Sequence, residues 1–141
     1  MNTVARSTHP SLGWILDEHI LSLAHTTRAL LLSADGLTVA SSQGVDRDLA
    51  ERMAAAVSGL QSLSREAGEF ADCQQQPWEL TMIQYGEGYV FLMAAAEGTY
   101  LAVSASKKAD IEAISYTMER TIGRLGQEMG VGSRDTSGMG S

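Results

Sequence analysis

An Asp35-Gly36 pair lies between two apolar segments, residues 30–34 and 37–41, and helical patterns flank both segments. Asp-Gly between apolar runs indicates a β-hairpin, because the tightest hairpin turns need positive φ. Gly adopts positive φ without steric cost, and Asp tolerates it better than most residues do. We therefore predict a two-residue turn that joins two antiparallel strands, in a sheet bracketed by helices.

Apolar residues at helical spacing predict a helix on either side of the sheet region. The first helix opens at Pro10 and ends near Ala24 or His25, with His19 partly buried on its apolar stripe. The last helix is expected to be capped by Ser106 and to pack through positions 111, 114, 118, 122, 125 and 129. Both helices carry enough apolar side chains to cover one face of a sheet.

A middle helix is predicted from Asp46 to about Ala67. Asp46 is expected to be its N-cap, because a side-chain carboxylate there accepts hydrogen bonds from the free N–H groups of the first turn. Gly68 is a natural stop. Apolar residues recur at positions 49, 53, 56, 57, 60 and 63, and small residues at 50, 54, 55, 58, 59 and 62 predict a second packing face.

Three further strands are predicted in residues 80–85, 89–94 and 99–104, separated by glycine-containing turns. The nearly continuous apolar run in 89–96 is typical of a strand that is covered on both faces. The expected domain spans residues 10–129. Residues 1–9 are expected to be a flexible tail, and the Gly/Ser-rich residues 130–141 a disordered one.

The composition excludes several classes of partner. A net charge of -7 with scattered basic residues argues against nucleic acid, whose phosphates are bound by clustered Lys and Arg. Cys73 is the one cysteine, so no internal disulfide is possible and a reducing compartment is expected. No apolar run approaches the ~20 residues that span a bilayer. We predict a cytoplasmic protein without direct membrane insertion, with recruitment to the membrane through partners.

Motifs for catalysis are absent from the sequence. No Gly is followed by Lys, which excludes a P-loop, and no Ser lies in Gly-x-Ser-x-Gly. His9, His19 and His25 are spaced poorly for a shared site, and no neighbouring base activates Cys73. We therefore predict no catalytic residue, no metal site and no cofactor. The arginines at positions 47, 52 and 65 are interpreted as surface residues rather than as an arginine finger for a GTPase.

The ordered set of elements, with LLLSADGL at 30–37, DRDLAERMAA at 46–55 and GEGY at 86–89, resembles the Roadblock / dynein light chain family. The likeness covers residues 11–129 and is strongest to bacterial single-domain members that accompany Ras-like small GTPases in actinobacterial conserved operons. It implies an α+β fold of order α-ββ-α-βββ-α, Roadblock/profilin-like. A five-stranded antiparallel sheet of order 2-1-5-4-3 would have the first and third helices on one face and the second helix on the other.

The resemblance also implies an assembly and a partner. Such domains homodimerise through the second helix and third strand, which places the dimer interface here at Ala54, Val57, Ser58, Gln61, Ser62, Trp78, Leu80 and Met82. The implied function is that of a non-enzymatic regulator of a Ras-like small GTPase. The implied partner-binding residues are Arg47, Glu51, Arg52, Ala55, Gly59, Ser62 and Glu66. A membrane sensor kinase complex is a further implied partner.

Two other readings stay open from the residues. A small-ligand sensor or scaffold domain of profilin or PAS type would need a cavity with convergent polar groups. An enzyme would need a nucleophile or metal site assembled from distant residues, for which the histidines and Cys73 are the candidates.

Overall fold

The computed structural model describes the chain over residues 10–138, and the side chains over 12–130. The helices are α1 (Pro10–Ile15, continued by the π-helical turn Leu16–Ile20), α2 (Arg47–Glu66, continued by the 3₁₀ turn Ala67–Ala71) and α3 (Ile111–Gly138). The strands are β1 (Thr26–Ser33), β2 (Thr38–Ser41), β3 (Thr81–Gln84), β4 (Gly88–Ala94) and β5 (Thr99–Ser106), with a 3₁₀ turn at Ala96–Gly98.

The five strands form one antiparallel sheet in the order β2-β1-β5-β4-β3, which confirms the predicted fold. β5 is the central strand, with Leu101 opposite Leu31 of β1 and Val103 opposite Phe91 of β4. β2 and β3 are the two edges. The edge β3 is short, and Trp78 and Leu80, which were predicted to belong to it or adjoin it, precede its first residue.

Helices cover both faces of this sheet, as predicted. On one face α1 and α3 bury their apolar stripes, Ile114 and Met118 among them, against strand residues such as Leu31 and Phe91. On the other face α2 packs on strand residues that include Leu32 and Leu92. Since neighbouring residues of a strand point to opposite faces, β1 supplies consecutive apolar side chains to both layers.

The β1–β2 turn differs from the predicted two-residue turn. The Ser33 N–H donates to the Leu37 carbonyl over 2.9 Å, and the Gly36 N–H donates to the Ser33 carbonyl over 3.0 Å, so the loop holds three residues. Only Gly36 has positive φ, at 88°, and Asp35 instead accepts a hydrogen bond from the Ser33 hydroxyl. This is a type I turn followed by a left-handed glycine, the usual three-residue hairpin.

The first helix ends earlier than its apolar pattern predicted. It stops at Ile20, and the Thr26 hydroxyl donates to the Ile20 and Leu23 carbonyls, each over 2.8 Å. The π-helical turn fits an additional residue into one turn, which changes the direction of the side chains that follow. His19 lies within this turn and is exposed, whereas the sequence predicted that it would be partly buried. His25 lies beyond the helix with positive φ of 74°, so it is not a helix-terminal residue.

The boundaries of α2 and α3 confirm one predicted cap and correct another. The Asp46 carboxylate accepts from the Leu49 N–H over 2.8 Å, as predicted. Gly68 does not end the helical segment. A 3₁₀ turn follows α2 over Ala67–Ala71, and Asp72, whose φ is 60°, is its C-cap. At the start of α3 the cap is Asp110, which accepts from the N–H groups of residues 112 and 113.

Ser106, the predicted cap of α3, is instead the last residue of β5. Its hydroxyl is buried and has no hydrogen-bond partner within the described part of the chain. The apolar stripe of α3 ends near Met129, the predicted domain boundary, whereas the helix itself continues to Gly138. The rest of the two predicted tails, residues 1–9 and 139–141, lies outside the described residues.

Candidate interaction surfaces on the second helix

The inner side of α2 is formed by small residues. Ala50, Ala54 and Val57 are buried against the sheet, where short side chains let the helix backbone approach the strands closely. The sequence predicted a second packing face of small residues on this helix, and Ala50 and Ala54 form a packing face against the sheet of their own protomer. Ala54 and Val57, two of the predicted dimer-interface residues, are core residues with no surface to offer a second molecule in this conformation.

A second side of α2, here called the apolar flank, carries larger side chains. The spacing between its residues alternates between four and three, so they lie along one stripe of the helix. The stripe consists of Leu49, Met53, Ala56, Leu60 and Leu63. Leu49, Met53 and Leu60 are half-buried, and Leu63 is 67% exposed. The residues predicted for the dimer interface do not include this flank, although its spacing is visible in the sequence.

The apolar flank overhangs a cavity of about 160 Å³ between the N-terminal half of α2 and the sheet. Leu49 and Met53 form its helix side, and Val90 and Ala102 belong to its sheet side. Arg28 and Ser104 also line it and provide its polar groups. The helix therefore covers only part of this sheet face and leaves an apolar recess beside it.

The outer face of α2 carries the seven predicted partner-binding residues, and all seven are exposed. Two ion pairs follow the helix axis, Arg47 with Glu51 at 3.1 Å and Arg52 with Asp48 at 3.2 Å. Solvent-exposed pairs of this kind contribute little to stability. A Cβ on Gly59 would meet no atom within 4 Å, so the surface is open there. The face combines charged side chains with small ones, over which a partner could approach the helix closely.

Arg65 ties the C-terminal end of α2 to the sheet. Its Nη2 donates to the Tyr100 hydroxyl over 2.8 Å, its Nε donates to Gln61, and its guanidinium carbon lies 5.8 Å from the ring centroids of Trp78 and Tyr100. Cation–π contacts with two aromatic rings and two hydrogen bonds hold the side chain against its own protomer. Such a fixed side chain is poorly suited to reach into the active site of another protein.

A chain of hydroxyl contacts joins the same end of α2 to the strand edge. The Trp78 Nε1 donates to the Thr81 hydroxyl over 2.8 Å, and the Thr81 hydroxyl donates to the Ser64 hydroxyl over 2.6 Å. Trp78, a predicted interface residue, is therefore half-buried by contacts within the protomer. Ser64, Thr81 and Tyr100 were not predicted as site residues, because nothing in their sequence positions links them.

The remaining predicted interface residues do not form one surface. The Ser58 hydroxyl donates to the Ala34 carbonyl over 2.8 Å, toward the β1–β2 loop, and the Gln61 amide donates to the Ser58 carbonyl. Ser62 lies on the exposed outer face. Leu80 and Met82 are exposed at the free edge formed by β3.

The polar groups offer no assembled centre within the described residues. Over that part of the chain no three His, Cys, Asp or Glu side chains are grouped closely enough to hold a metal ion. Cys73 lies at a cleft of about 460 Å³ between the end of α2 and the loop that leads to β3, where its thiol contacts the Ala71 carbonyl at 3.4 Å. None of the described helices is both long and apolar enough to cross a membrane.

Known protein families and structures were compared with the chain. The family model of the Roadblock/LC7 domain matches residues 12–105. The fold is similar to the crystal structure of a Roadblock/LC7 domain from Streptomyces avermitilis, with 34% identity, a TM-score of 0.76, and coverage of 83% of this chain and 96% of that one. No curated protein sequence matches the chain.

Two more distant structures share the fold. The gliding protein MglB from Thermus thermophilus has 14% identity and a TM-score of 0.71, with coverage of 86% of this chain and 90% of that one. Acanthamoeba castellanii profilin IA has 16% identity and a TM-score of 0.50, with coverage of 82% and 97% respectively. At these identities the likeness concerns the arrangement of helices and strands alone.

Proposed function

Because the chain belongs to the Roadblock/LC7 domain family, we propose that it is a homodimeric, non-enzymatic adaptor that binds a Ras-like small GTPase and modulates its GTP/GDP switch. The observation that carries this proposal is the outer face of α2, on which all seven residues implied by the resemblance are exposed together. The adaptor works in the cytoplasm, and a sensor kinase complex at the membrane is a further partner of the assembly.

The free edge of the sheet supports self-association. Within residues 10–138, β3 pairs with β4 on one side, and no strand of this range pairs with the backbone N–H and C=O groups on its other side. Leu80 and Met82 are exposed at this edge, and Leu63 is exposed on the apolar flank above it. Two copies that join their β3 edges around a two-fold axis satisfy these backbone groups and cover the apolar side chains.

The proposed dimer interface accordingly differs from the one implied by the resemblance. It consists of the apolar flank of α2 and the β3 edge, with Leu80 and Met82 retained from the implied set. Ala54 and Val57 are left out because they are buried. Burial of the flank on association is favourable in proportion to the apolar area that is removed from water.

The outer face of α2 is the proposed GTPase site. Small exposed residues at Ala55, Gly59 and Ser62 leave room for a switch loop, and charged residues at either end of the face orient it. An adaptor of this kind changes GTP turnover by binding one conformation of the switch loops more tightly than the other, which shifts their equilibrium. The chain then needs no catalytic group of its own.

A bulky residue at Gly59 tests this site. Gly59→Phe should fold normally, because a Cβ there meets nothing within 4 Å and Phe has a higher helix propensity than Gly. The matched control is Gly123→Phe, at an equally open and exposed helical position on α3, across the sheet. The binding partner is the Ras-like small GTPase of the same operon, loaded with GDP or with a non-hydrolysable GTP analogue.

Binding is measured by isothermal titration calorimetry, and sedimentation of each variant alone reports the dimer separately. We expect Gly59→Phe to lose GTPase binding and any effect on GTP turnover, and Gly123→Phe to retain both. If the unmodified protein neither binds the GTPase nor alters its turnover, the proposed function is wrong. If Gly59→Phe binds normally, the GTPase site lies elsewhere.

The recess beside α2 is not suited to the small ligand that the sensor alternative would require. Its volume of about 160 Å³ is below the about 300–1,000 Å³ of ordinary ligand pockets. Its walls are mostly apolar, whereas a sensor cavity would need several convergent polar groups to orient a small ligand. The recess is better suited to a single apolar side chain than to a free metabolite.

A further inference from the structure

Two apolar features at opposite ends of α2 are open to solvent in the described part of the chain. Phe70, on the 3₁₀ turn that follows the helix, is 97% exposed. The cavity of about 160 Å³ lies at the other end, beside Leu49 and Met53. An exposed phenyl ring and an open apolar recess are both unfavourable in water, so an arrangement that removes both from solvent is favoured.

The path of α2 across the sheet brings Phe70 to the free edge. Ser58, in the middle of the helix, contacts Ala34 in the β1–β2 loop, on the side of the sheet away from β3. Two turns later Ser64 contacts Thr81, the first residue of β3. The helix therefore runs diagonally toward the β3 edge, and the 3₁₀ turn with Phe70 follows at the end that reaches this edge.

In a dimer whose two-fold axis relates the two β3 edges, the 3₁₀ turn of one protomer lies over the sheet of its partner. In an antiparallel β3–β3 pair, the start of one strand lies beside the end of the other. The end of β3 pairs with the start of β4, where Ile83 is opposite Val90. Val90 also lines the cavity. The C-terminal end of each α2 is thus directed toward the cavity side of the other protomer.

We propose that Phe70 of each protomer inserts into the apolar cavity of the other, as the anchor of the dimer interface. This inference rests on the homodimer proposed above. The sizes agree, since an apolar protein cavity of about 150 Å³ accommodates benzene. The lining is chemically suitable, because Val45, Leu49, Met53 and Val90 present aliphatic and thioether groups. The symmetry gives two such contacts for each dimer.

A double-mutant cycle on the dimer dissociation constant tests the insertion. The variants are Phe70→Ala, which removes the ring, Val90→Phe, which fills the cavity from within, and the double variant. The matched control is Leu37→Ala, at a 64% exposed position in the β1–β2 loop, far from the proposed interface. Kd is measured by sedimentation equilibrium on the full chain, and far-UV circular dichroism checks the fold of each variant.

Phe70→Ala is expected to raise the dimer Kd about a hundredfold or more, because each of the two buried rings contributes at least a factor of ten. Leu37→Ala should leave Kd unchanged. Val90→Phe should weaken the dimer on its own but add no further weakening to Phe70→Ala, since both changes remove the same contact.

The outcomes separate this inference from the proposed homodimer. A dimer whose Kd is unchanged in Phe70→Ala overturns the Phe70 anchor while the homodimer stands. Additive effects of Phe70→Ala and Val90→Phe also overturn it, because the two sites would then be independent. An unmodified chain that stays monomeric at every concentration contradicts both the homodimer and the Phe70 anchor. Phe70→Ala decides the question even where Val90→Phe fails to fold, because an exposed side chain contributes little to the folded protomer.

Discussion

Gly88 should be the glycine at which an added methyl group costs the most. It is the first residue of β4 and lies opposite Ser106 of β5. A Cβ built on Gly88 would be 2.6 Å from the backbone carbonyl oxygen of Ala105, whereas close C···O contacts are about 3.3–3.6 Å. A backbone atom cannot move away by changing a rotamer. The two strands must therefore separate by about 0.7 Å or more at this end.

The cost of Gly88→Ala follows from what this separation disturbs. Overpacking alone costs about 1–3 kcal/mol. The hydrogen bond from the Lys107 N–H to the Glu87 carbonyl at 3.0 Å joins the same ends of β5 and β4, and the separation weakens it as well. Each lost hydrogen bond adds about 0.5–1.5 kcal/mol. We expect the free energy of unfolding to fall by about 1.5–4.5 kcal/mol in total.

The assay is urea unfolding followed by far-UV circular dichroism, at one fixed protein concentration because self-association also adds to apparent stability. The control is Gly86→Ala, two residues away, where a Cβ meets no atom within 4 Å and φ is not positive. Its free energy of unfolding should change by less than about 0.5 kcal/mol. Equal stabilities for the two variants would refute the close approach of β4 and β5 at Gly88.

Two further predictions concern caps and the end of α2. Asp110→Ala should lower the free energy of unfolding by about 1 kcal/mol, through loss of the cap of α3. Ser106→Ala should leave it unchanged or raise it, because the buried Ser106 hydroxyl has no partner among the described residues. The opposite order in urea unfolding would favour Ser106 as the cap. Arg65→Met should lower the free energy of unfolding by about 1–2 kcal/mol and change the near-UV signal of Trp78. Arg65→Lys should have the same effects, because an ammonium group lacks the guanidinium fork that donates to Gln61 and Tyr100 together. Normal values in Arg65→Lys would show that charge alone is sufficient.

Periodicity in the sequence predicted the elements that bury the most apolar surface. Apolar runs bounded by turn residues identified all five strands, and the three- and four-residue spacing identified α2 and α3. The Asp46 cap was also predictable, because it depends on groups within four residues of one another. The strand order came from the family resemblance, since strand pairing between distant segments leaves no local signal.

Errors arose where two local signals compete or where the decisive contact is distant in sequence. Asp-Gly fits a two-residue turn, but the hydrogen bond between Ser33 and Asp35 accompanies a three-residue turn. Ser106 and Asp110 are both good caps, and pairing of Ser106 with Gly88 in the sheet excludes it. Arg65 is an ordinary surface residue in the sequence, and only the fold brings Tyr100 to it.

The hairpin, the helices and their apolar stripes are set by interactions over a few residues, so the order of amino acids was enough to find them. Which side of α2 meets the sheet was decided by the tertiary structure. Both sides of the helix looked suitable for packing, one with small residues and one with Leu49, Met53, Leu60 and Leu63. Close approach to the strands selected the small side, because Ala50 and Ala54 leave room for the backbone. The large residues were thereby left on the apolar flank, where Met53 and Leu60 are half-buried beside the core and Leu63 is exposed.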